Sequence, residues 1–532
     1  MSITSLSFLL FIMLVIIIYY AMPNKKYQWI WLLFASCFFY LLTGVRNIIY
    51  ILITSSSTYL ATRLMQELKN RQVQYLTEHK TELSREEKKQ IKHKCTLKRR
   101  GIMIITMLLN FSILCTFKYL NFILEQITAL GNFFTGNDSL SLSVNLIIPL
   151  GISFYTFQTM GYLADVYWEK TEAEHNFGKV LLFTSYFPQM TQGPISSYEQ
   201  LSSELYKEHP FVYKNYSYGC QRMIWGFYKK MVIADLLAPF IRNAFQNYSI
   251  YPGISVLLGA FMYSIQIYAD FSGYMDIVCG FSQTLGITLT ENFERPYFSK
   301  SIAEYWRRWH ITLGAWFKTY IYYPIAVSKW NRNLGKTFEK KLGTAVAGTL
   351  PASIALVATW FTTGLWHGAS WGYIAWGLVN GLFIIFSLWM EPIYAKLKIK
   401  LKINQGNRSW ITFQVIRTFI LVTFIKVLPE VGTLSDGIGF WRQIFTNHSV
   451  PASLAELIPG YSGISDLLNI LMILIGTCLL FIVSMIQRKQ KVRDFMESLP
   501  RGVRWIVYIA LALMILVFGT GSAKESFMYA QF

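Results

Sequence analysis

The chain has 532 residues, of which 53% are hydrophobic and only 15% charged, and its mean hydropathy is +0.35. A soluble domain carries about 25% charged residues, whereas apolar runs of about 15–22 residues recur here from end to end. A soluble globular enzyme is therefore excluded, and an all-α, polytopic membrane bundle is expected, because a helix satisfies its own backbone in lipid. The formal net charge of +20 lies in loops between these runs. Such an excess marks cytoplasmic loops beside anionic lipid and speaks against nucleic acid as a partner. The six cysteines are scattered without metal or redox spacing, so no metal site is expected.

In chain order, the hydropathy pattern predicts spans near residues 6–20, 29–42 and 48–64. The first lacks a basic leader and a small-residue cleavage site, and reads as a retained span. A strongly charged segment, 67–100, follows and is expected to form an exposed cytoplasmic helical hairpin. A further span over 101–124, a polar external stretch at 131–143 and a return over 146–162 come next. The stretch 180–195 is apolar but broken by Pro188, Gly193 and Pro194, which suggests a re-entrant element. Helices are then predicted at 218–240, 256–280, 305–325, 348–363, 371–390, 411–426, 464–486 and 505–519. These make about 12 or 13 membrane elements. Basic clusters at 396–402 and 488–493 should be cytoplasmic, which puts the C-terminal tail outside.

Two stretches carry candidate chemistry. From Ile302 a helical period places Tyr305, Trp306, Trp309, Leu313 and Trp316 on one broad face, with His310 at its edge and Gly314 one turn on. His310 is either a working imidazole or a core histidine with a satisfied hydrogen bond. In Phe361-Thr-Thr-Gly-Leu-Trp-His-Gly-Ala-Ser-Trp371, small residues surround His367 where two apolar helices meet. An ionisable group at such a place is costly to keep idle, and the glycines leave room for a substrate or for a second backbone. Asp270 and Asp276, in or beside an apolar helix, either line a polar cavity with Tyr268, Ser272 and Tyr274 or pair with an arginine such as Arg307 or Arg308. His175, His209 and His448 fall in polar loops and read as incidental.

Several motifs in order carry a resemblance. They are Phe154-Tyr-Thr-Phe-Gln-Thr-Met-Gly-Tyr, Phe187-Pro-Gln-Met-Thr-Gln-Gly-Pro-Ile, Tyr268-Ala-Asp-Phe-Ser-Gly-Tyr, Asn292-Phe-Glu-Arg-Pro-Tyr, Tyr305-Trp-Arg-Arg-Trp-His-Ile-Thr-Leu, Gly364-Leu-Trp-His-Gly-Ala and the tail Phe527-Met-Tyr-Ala-Gln-Phe532. Together they resemble the membrane-bound O-acyltransferase family, in the bacterial branch that includes alginate O-acetyltransferase and is related to teichoic acid D-alanyl transferase.

The resemblance implies one membrane-embedded acyltransferase domain over 1–532 around a transmembrane tunnel. Its parts would be N-terminal helices over 1–150, a catalytic core over 150–390, and C-terminal helices with an extracellular tail motif over 391–532. It implies His367 as catalytic base and His310 as its partner at the cytoplasmic mouth; Trp306, Arg307, Trp309, Trp366 and Gln158 are candidate substrate contacts, as is Asp270, to which the resemblance assigns no firm role. No bound cofactor is implied. The donor would be a cytoplasmic thioester such as acetyl-CoA, and the acceptor an extracellular polysaccharide or a secreted partner transferase, in a bacterial plasma membrane. In the related D-alanylation system a similar aromatic motif ends a separate small protein, whose tyrosine is implicated as an acyl relay. Tyr529 is thus either a covalent relay or part of a plug at the tunnel mouth. D-alanyl transfer to teichoic acid is the alternative reaction, and a transporter or flippase with a histidine proton relay is the alternative outside enzymology.

Overall fold

A computed structural model of the chain describes residues 3–136 and 141–519, without side chains at 339–347 and 464–465. The tail with Tyr529 lies outside the described residues. Among the described residues the only extended pairing is one isolated bridge, Phe293 to Trp309, and the rest of the regular structure is helical. The expected all-α class is therefore observed. Among the described residues six helices are long and apolar enough to cross a membrane: Arg85–Lys118, Gly253–Thr284, Trp371–Lys400, Arg408–Val427, Asp466–Gln487 and Arg501–Phe518. Their outward faces stay apolar, as at Leu513, Leu516 and Val517, all more than half exposed. That suits lipid, which solvates such faces as water cannot.

Fewer helices reach this length among the described residues than the apolar runs suggested: Leu6–Ala21, Gln28–Leu41 and Ile152–Tyr167 are continuous but short, and the run through His310 is broken. The chain forms two compact units, Met1–Ser217 with Phe281–Leu289, and Tyr218–Gly280 with Thr290–Phe532.

In the first unit the charged segment forms the expected helical hairpin, Ile48–Glu78 and Arg85–Lys118, and it is continuous with the flanking apolar helices. A capping box starts the second helix: Ser84 Oγ accepts from the Glu87 N–H, and Glu87 Oε2 from the Ser84 N–H at 2.8 Å. The hairpin is not wholly exposed. Arg99 is buried and donates to Glu169 Oε1 at 2.5 Å and to the Val166 and Tyr167 carbonyls at 3.0 Å.

The apolar stretch broken by prolines becomes two short helices, Phe177–Ser185 and Phe187–Met190, buried from Val180 onward. Gln189 Nε2 closes the following loop onto the Pro194 carbonyl (2.9 Å) and Ser196 Oγ (2.8 Å). Irregular backbone at such depth needs internal partners of this kind. His209 departs from expectation: it is buried rather than loosely solvated. Its Nε2 lies 2.7 Å from the Glu204 carbonyl and its N–H donates to Gln28 Oε1, so it anchors a loop. Burial holds its imidazole below the ordinary histidine range.

The second unit is built on a helical pair, Lys329–His367 packed along Trp371–Lys400. Glycines set its spacing. A Cβ at Gly377 would lie 2.4 Å from the Trp360 carbonyl oxygen, and one at Gly364 would lie 2.4 Å from that of Tyr373. Backbones this close gain the dispersion contacts that replace hydrophobic driving force inside lipid. Gly377→Val should therefore destabilise the unit by about 1–3 kcal/mol. Gly348→Ala, where an added Cβ meets nothing within 4 Å, should be neutral. Thermal unfolding followed by tryptophan fluorescence in detergent checks both.

Candidate active site

The candidate site lies in the second unit, and its first determinant is a broken helix. Periodicity predicted one helix through His310, but the chain forms Ile302–Arg308, a kink at Trp309 and His310, and then Ile311–Phe317. Trp309 is extended, at φ −107° and ψ 128°. His310 is left-handed, at φ +48°, a conformation that non-glycine residues adopt only when surroundings hold them there.

The surroundings here come from residues 292–294. The Glu294 N–H donates to the Arg308 carbonyl (2.9 Å) and the Ile311 N–H to the Asn292 carbonyl (3.0 Å), which replaces lost helical bonds. Asn292 Oδ1 accepts from the Thr312 N–H (3.0 Å) and Thr312 Oγ1 (2.9 Å) and lies 3.3 Å from His310 Nδ1. Two donors identify that amide atom as oxygen, so Nδ1 carries the imidazole proton and Nε2 keeps its lone pair. Asn292 is a site residue that helix-pattern reasoning missed. It was quoted only as the start of a motif.

His310 and His367 are both buried and belong to one aromatic cluster. The Trp366 ring centroid lies 6.0 Å from that of His310 and 5.0 Å from that of His367, each edge to face. Phe271 closes the far side of His310 at 4.8 Å. His367 ends the Lys329–His367 helix. The Trp376 ring stands on it at 4.9 Å, and the Tyr373 ring lies nearly parallel to it at 6.4 Å. Gly368 makes room for this tyrosine and not for a substrate: a Cβ there would lie 2.1 Å from Tyr373 Cδ2.

A cavity of about 30 Å³, room for roughly one water, lies beside His367. Tyr263, Trp306, Trp309, Tyr373, Lys426 and Glu430 also line it. Trp306 is pinned by its indole N–H, which donates to Asn380 Oδ1 at 3.0 Å. Tyr373 Oη donates to Glu430 at 3.3 Å.

Of the expected substrate contacts, Trp306, Trp309 and Trp366 therefore gather around the two histidines, and Arg307 does not. It is exposed, and its neighbour Arg308 pairs with Glu304 at 2.6 Å. Gln158 is buried within the first unit, on Ile152–Tyr167.

Asp276 pairs with an arginine, as one sequence reading had it, but with Arg222, and neither aspartate pairs with Arg307 or Arg308. The other cations, Lys229 and Lys230, come from Lys229–Ala234, a wide π-helical turn. Lys230 Nζ meets Asp270 at 2.7 Å and Asp235 at 2.9 Å. Lys229 Nζ meets Asp276 at 2.6 Å, and Arg222 Nε meets it at 2.8 Å. A close approach of Gly226 to Gly273, where a Cβ would lie 2.7 Å from the facing carbonyl oxygen, brings these groups together. The carboxylates thus serve a buried ion network. Among the described residues no group of three or more histidine, cysteine or acidic side chains could hold a metal ion.

Residues 170–338 and 340–428 match the MBOAT model, the membrane-bound O-acyltransferase family. That region contains His310, His367, Asn292 and Lys426. Across this stretch the chain is similar to the membrane-bound O-acyltransferase family. It is 31% identical over 344 residues to a protein named "Probable alginate O-acetylase AlgI" from Pseudomonas aeruginosa, covering 65% of this chain and 60% of that one. It is 30% identical to the peptidoglycan O-acetyltransferase of Helicobacter pylori, covering 62% and 64%, and 27% identical to a teichoic acid D-alanyltransferase of Streptococcus thermophilus, covering 46% and 59%. The matches thus span about three fifths of these relatives' lengths.

The ion network gives a direct test of the correction. Lys230→Met leaves two buried carboxylates without their cation and should cost about 3–5 kcal/mol, read as a fall in melting temperature. Adding Asp270→Asn should recover part of that loss. Arg307→Ala should leave stability unchanged.

Proposed function

We propose that this protein transfers an acyl group, acetyl in the first place, from a thioester to a hydroxyl of an envelope polysaccharide. The observation that carries the reading is the placement of His367, buried beside His310 through Trp366, on the cavity within the matched region. A thioester is already activated, so the enzyme has chiefly to make a nucleophile. The neutral imidazole of His367 takes the proton of the attacking hydroxyl, which typically contributes about 10²–10⁴-fold. The C–O bond forms, the C–S bond breaks, and the thiolate leaves with a proton returned from the imidazolium. His310, with its proton held on Nδ1 toward Asn292, presents the lone pair of Nε2 as a second group that could handle a proton.

Acetyl-CoA on the cytoplasmic face is the proposed donor. The proposed acceptor is an extracellular polymer, reached directly or through a secreted transferase, with the protein in the plasma membrane of a bacterium and its C-terminus outside. The O-acetyltransferase names of the relatives at 30–31% identity favour acetyl. Relatives named as D-alanyltransferases at 27% identity support D-alanyl transfer as the second reading.

Incubation of the purified protein in lipid nanodiscs with radiolabelled acetyl-CoA and an acceptor polysaccharide tests this. Wild type should transfer label, and His367→Ala should lose about 10²–10⁴-fold in rate while remaining folded. Label retained on the C-terminal peptide and lost in Tyr529→Phe would identify the acyl relay. A fully active Tyr529→Phe would leave the tail a plug. A His367→Ala protein with wild-type rate contradicts the base assignment. Transfer only from a D-alanyl carrier thioester selects the second reading.

A further inference from the structure

Among the described residues the buried cationic side chains are Arg99, Lys229, Lys230 and Lys426. The first three each meet a carboxylate: Glu169, Asp276 and Asp270. Lys426 does not. It sits on the inward face of Arg408–Val427, between buried Ile425 and Val427. Its Nζ lies 3.8 Å from the Trp309 ring centroid, 5.0 Å from that of Tyr297 and 5.3 Å from that of Tyr305, and it donates to Tyr297 Oη at 2.9 Å. Tyr297 Oη is itself fixed by donating to the Ser264 carbonyl. Glu430 lines the same cavity, yet no ion pair joins it to Lys426, and its recorded partner at 3.3 Å is Tyr373 Oη.

This arrangement differs in kind from the Lys229 and Lys230 network. A carboxylate neutralises the charge that it solvates. Ring faces and a phenol oxygen attract an ammonium through quadrupole and lone pair but leave its net charge intact. Protonated Lys426 would therefore bring to the cavity that it shares with His367 a positive charge that no carboxylate cancels. Three rings and one hydrogen bond also restrict a side chain that is otherwise among the most flexible. An ionisable group inside a membrane element is costly, and such groups mark functional pathways. A fixed, dry positive charge beside a general base is the arrangement that acyl transfer requires, because the carbonyl oxygen gains a full negative charge in the tetrahedral intermediate.

We propose that Lys426 is a second catalytic residue, the cation that receives the acyl carbonyl oxygen as it becomes an oxyanion. This rests on the acyl-transfer reading above and adds the group on which the developing charge lands. As the hydroxyl oxygen bonds to the carbonyl carbon, its proton passes to His367 and the carbonyl π pair moves to oxygen, beside Lys426 Nζ. When that pair reforms the C=O bond, the C–S bond breaks and the thiolate takes the proton from His367. Lys426 exchanges no proton. The cavity, sized for one water, leaves room for one carbonyl oxygen beside Lys426. Tyr297 and Tyr305 then act as positioning residues for the cation.

The full-length protein in nanodiscs provides the test. Lys426→Met keeps length and bulk without charge, and Lys426→Arg keeps charge. The proposal expects Lys426→Met to lower kcat for transfer from acetyl-CoA by about 10²–10³-fold with KM for the thioester little changed, and Lys426→Arg to recover part of the loss. A purely structural lysine would instead lower the melting temperature and the yield of folded protein while leaving kcat per folded molecule near wild type, and that result overturns the proposal. Binding of methylphosphonate, a small tetrahedral anion, followed by tryptophan fluorescence, gives a readout independent of turnover. It should bind wild type and His367→Ala but not Lys426→Met. Equal binding to wild type and Lys426→Met refutes the assignment. If wild type turns over no thioester, the acyl-transfer reading fails, and the phosphonate result still decides whether Lys426 is an anion-receiving cation.

Discussion

A single amide side chain, Asn292, holds the irregular backbone on which the site depends. A helix run through a membrane protein satisfies itself, and breaking it exposes polar groups that cost several kcal/mol each when nothing replaces their bonds. The break at Trp309 and His310 is paid for by residues 292–294. Two backbone bonds cross to the strand-like segment, and the Asn292 carboxamide takes the amide and hydroxyl of Thr312 while facing His310. The left-handed His310 follows from that clamp, as does the extended Trp309 that forms one wall of the Lys426 cage. Without the clamp, the Trp-Arg-Arg-Trp-His run would continue as a helix and carry Trp309 and His310 to other directions.

Charge inside the second unit is handled in two ways, and the difference separates structure from chemistry. Around the π turn, Arg222, Lys229 and Lys230 meet Asp235, Asp270, Asp276 and Glu291 in a network that joins two helices at a close glycine contact. Such groups are dear to bury and dearer to leave half paired, so the network fixes the pairing of those helices. Around the cavity, the aromatic side chains keep both imidazoles and one ammonium dry without quenching them. Trp366 touches both histidines, Trp376 and Tyr373 flank His367, and Trp309 carries the ammonium. The many aromatics of the 305–309 and 366–376 stretches thus surround the two imidazoles and the Lys426 side chain.

Much of this was legible in the sequence, for identifiable reasons. Hydropathy revealed the helical membrane class, since lipid imposes the same apolar period wherever a helix crosses it. His310 and His367 stood out as ionisable groups among aromatic and small residues, and the structure brings them together through Trp366. What stayed hidden was long-range or non-periodic. The Trp306–Trp309–Leu313 spacing fits a continuous helix, and nothing local announces that residues 292–294 will interrupt it. Asp270 was matched to nearby arginines because a π turn, which buries Lys229 and Lys230, leaves no simple trace in a hydropathy pattern. Gly368 suggested space for a substrate, and a tyrosine five residues on fills it. Lys426 closes an apolar run and read as the end of a span. A lysine within helix length of Pro429 and Glu430 in such a run is the signal that could have marked it.

In the proposed mechanism His367 and Lys426 face one acyl group across one small cavity. A cryo-electron microscopy structure of the protein with a non-hydrolysable acetyl-CoA analogue, sulfur replaced by methylene, tests this placement. The acetyl carbonyl oxygen should lie within hydrogen-bond distance of Lys426 Nζ and the carbonyl carbon beside the His367 imidazole. An analogue seated with its acetyl group away from both side chains would contradict it.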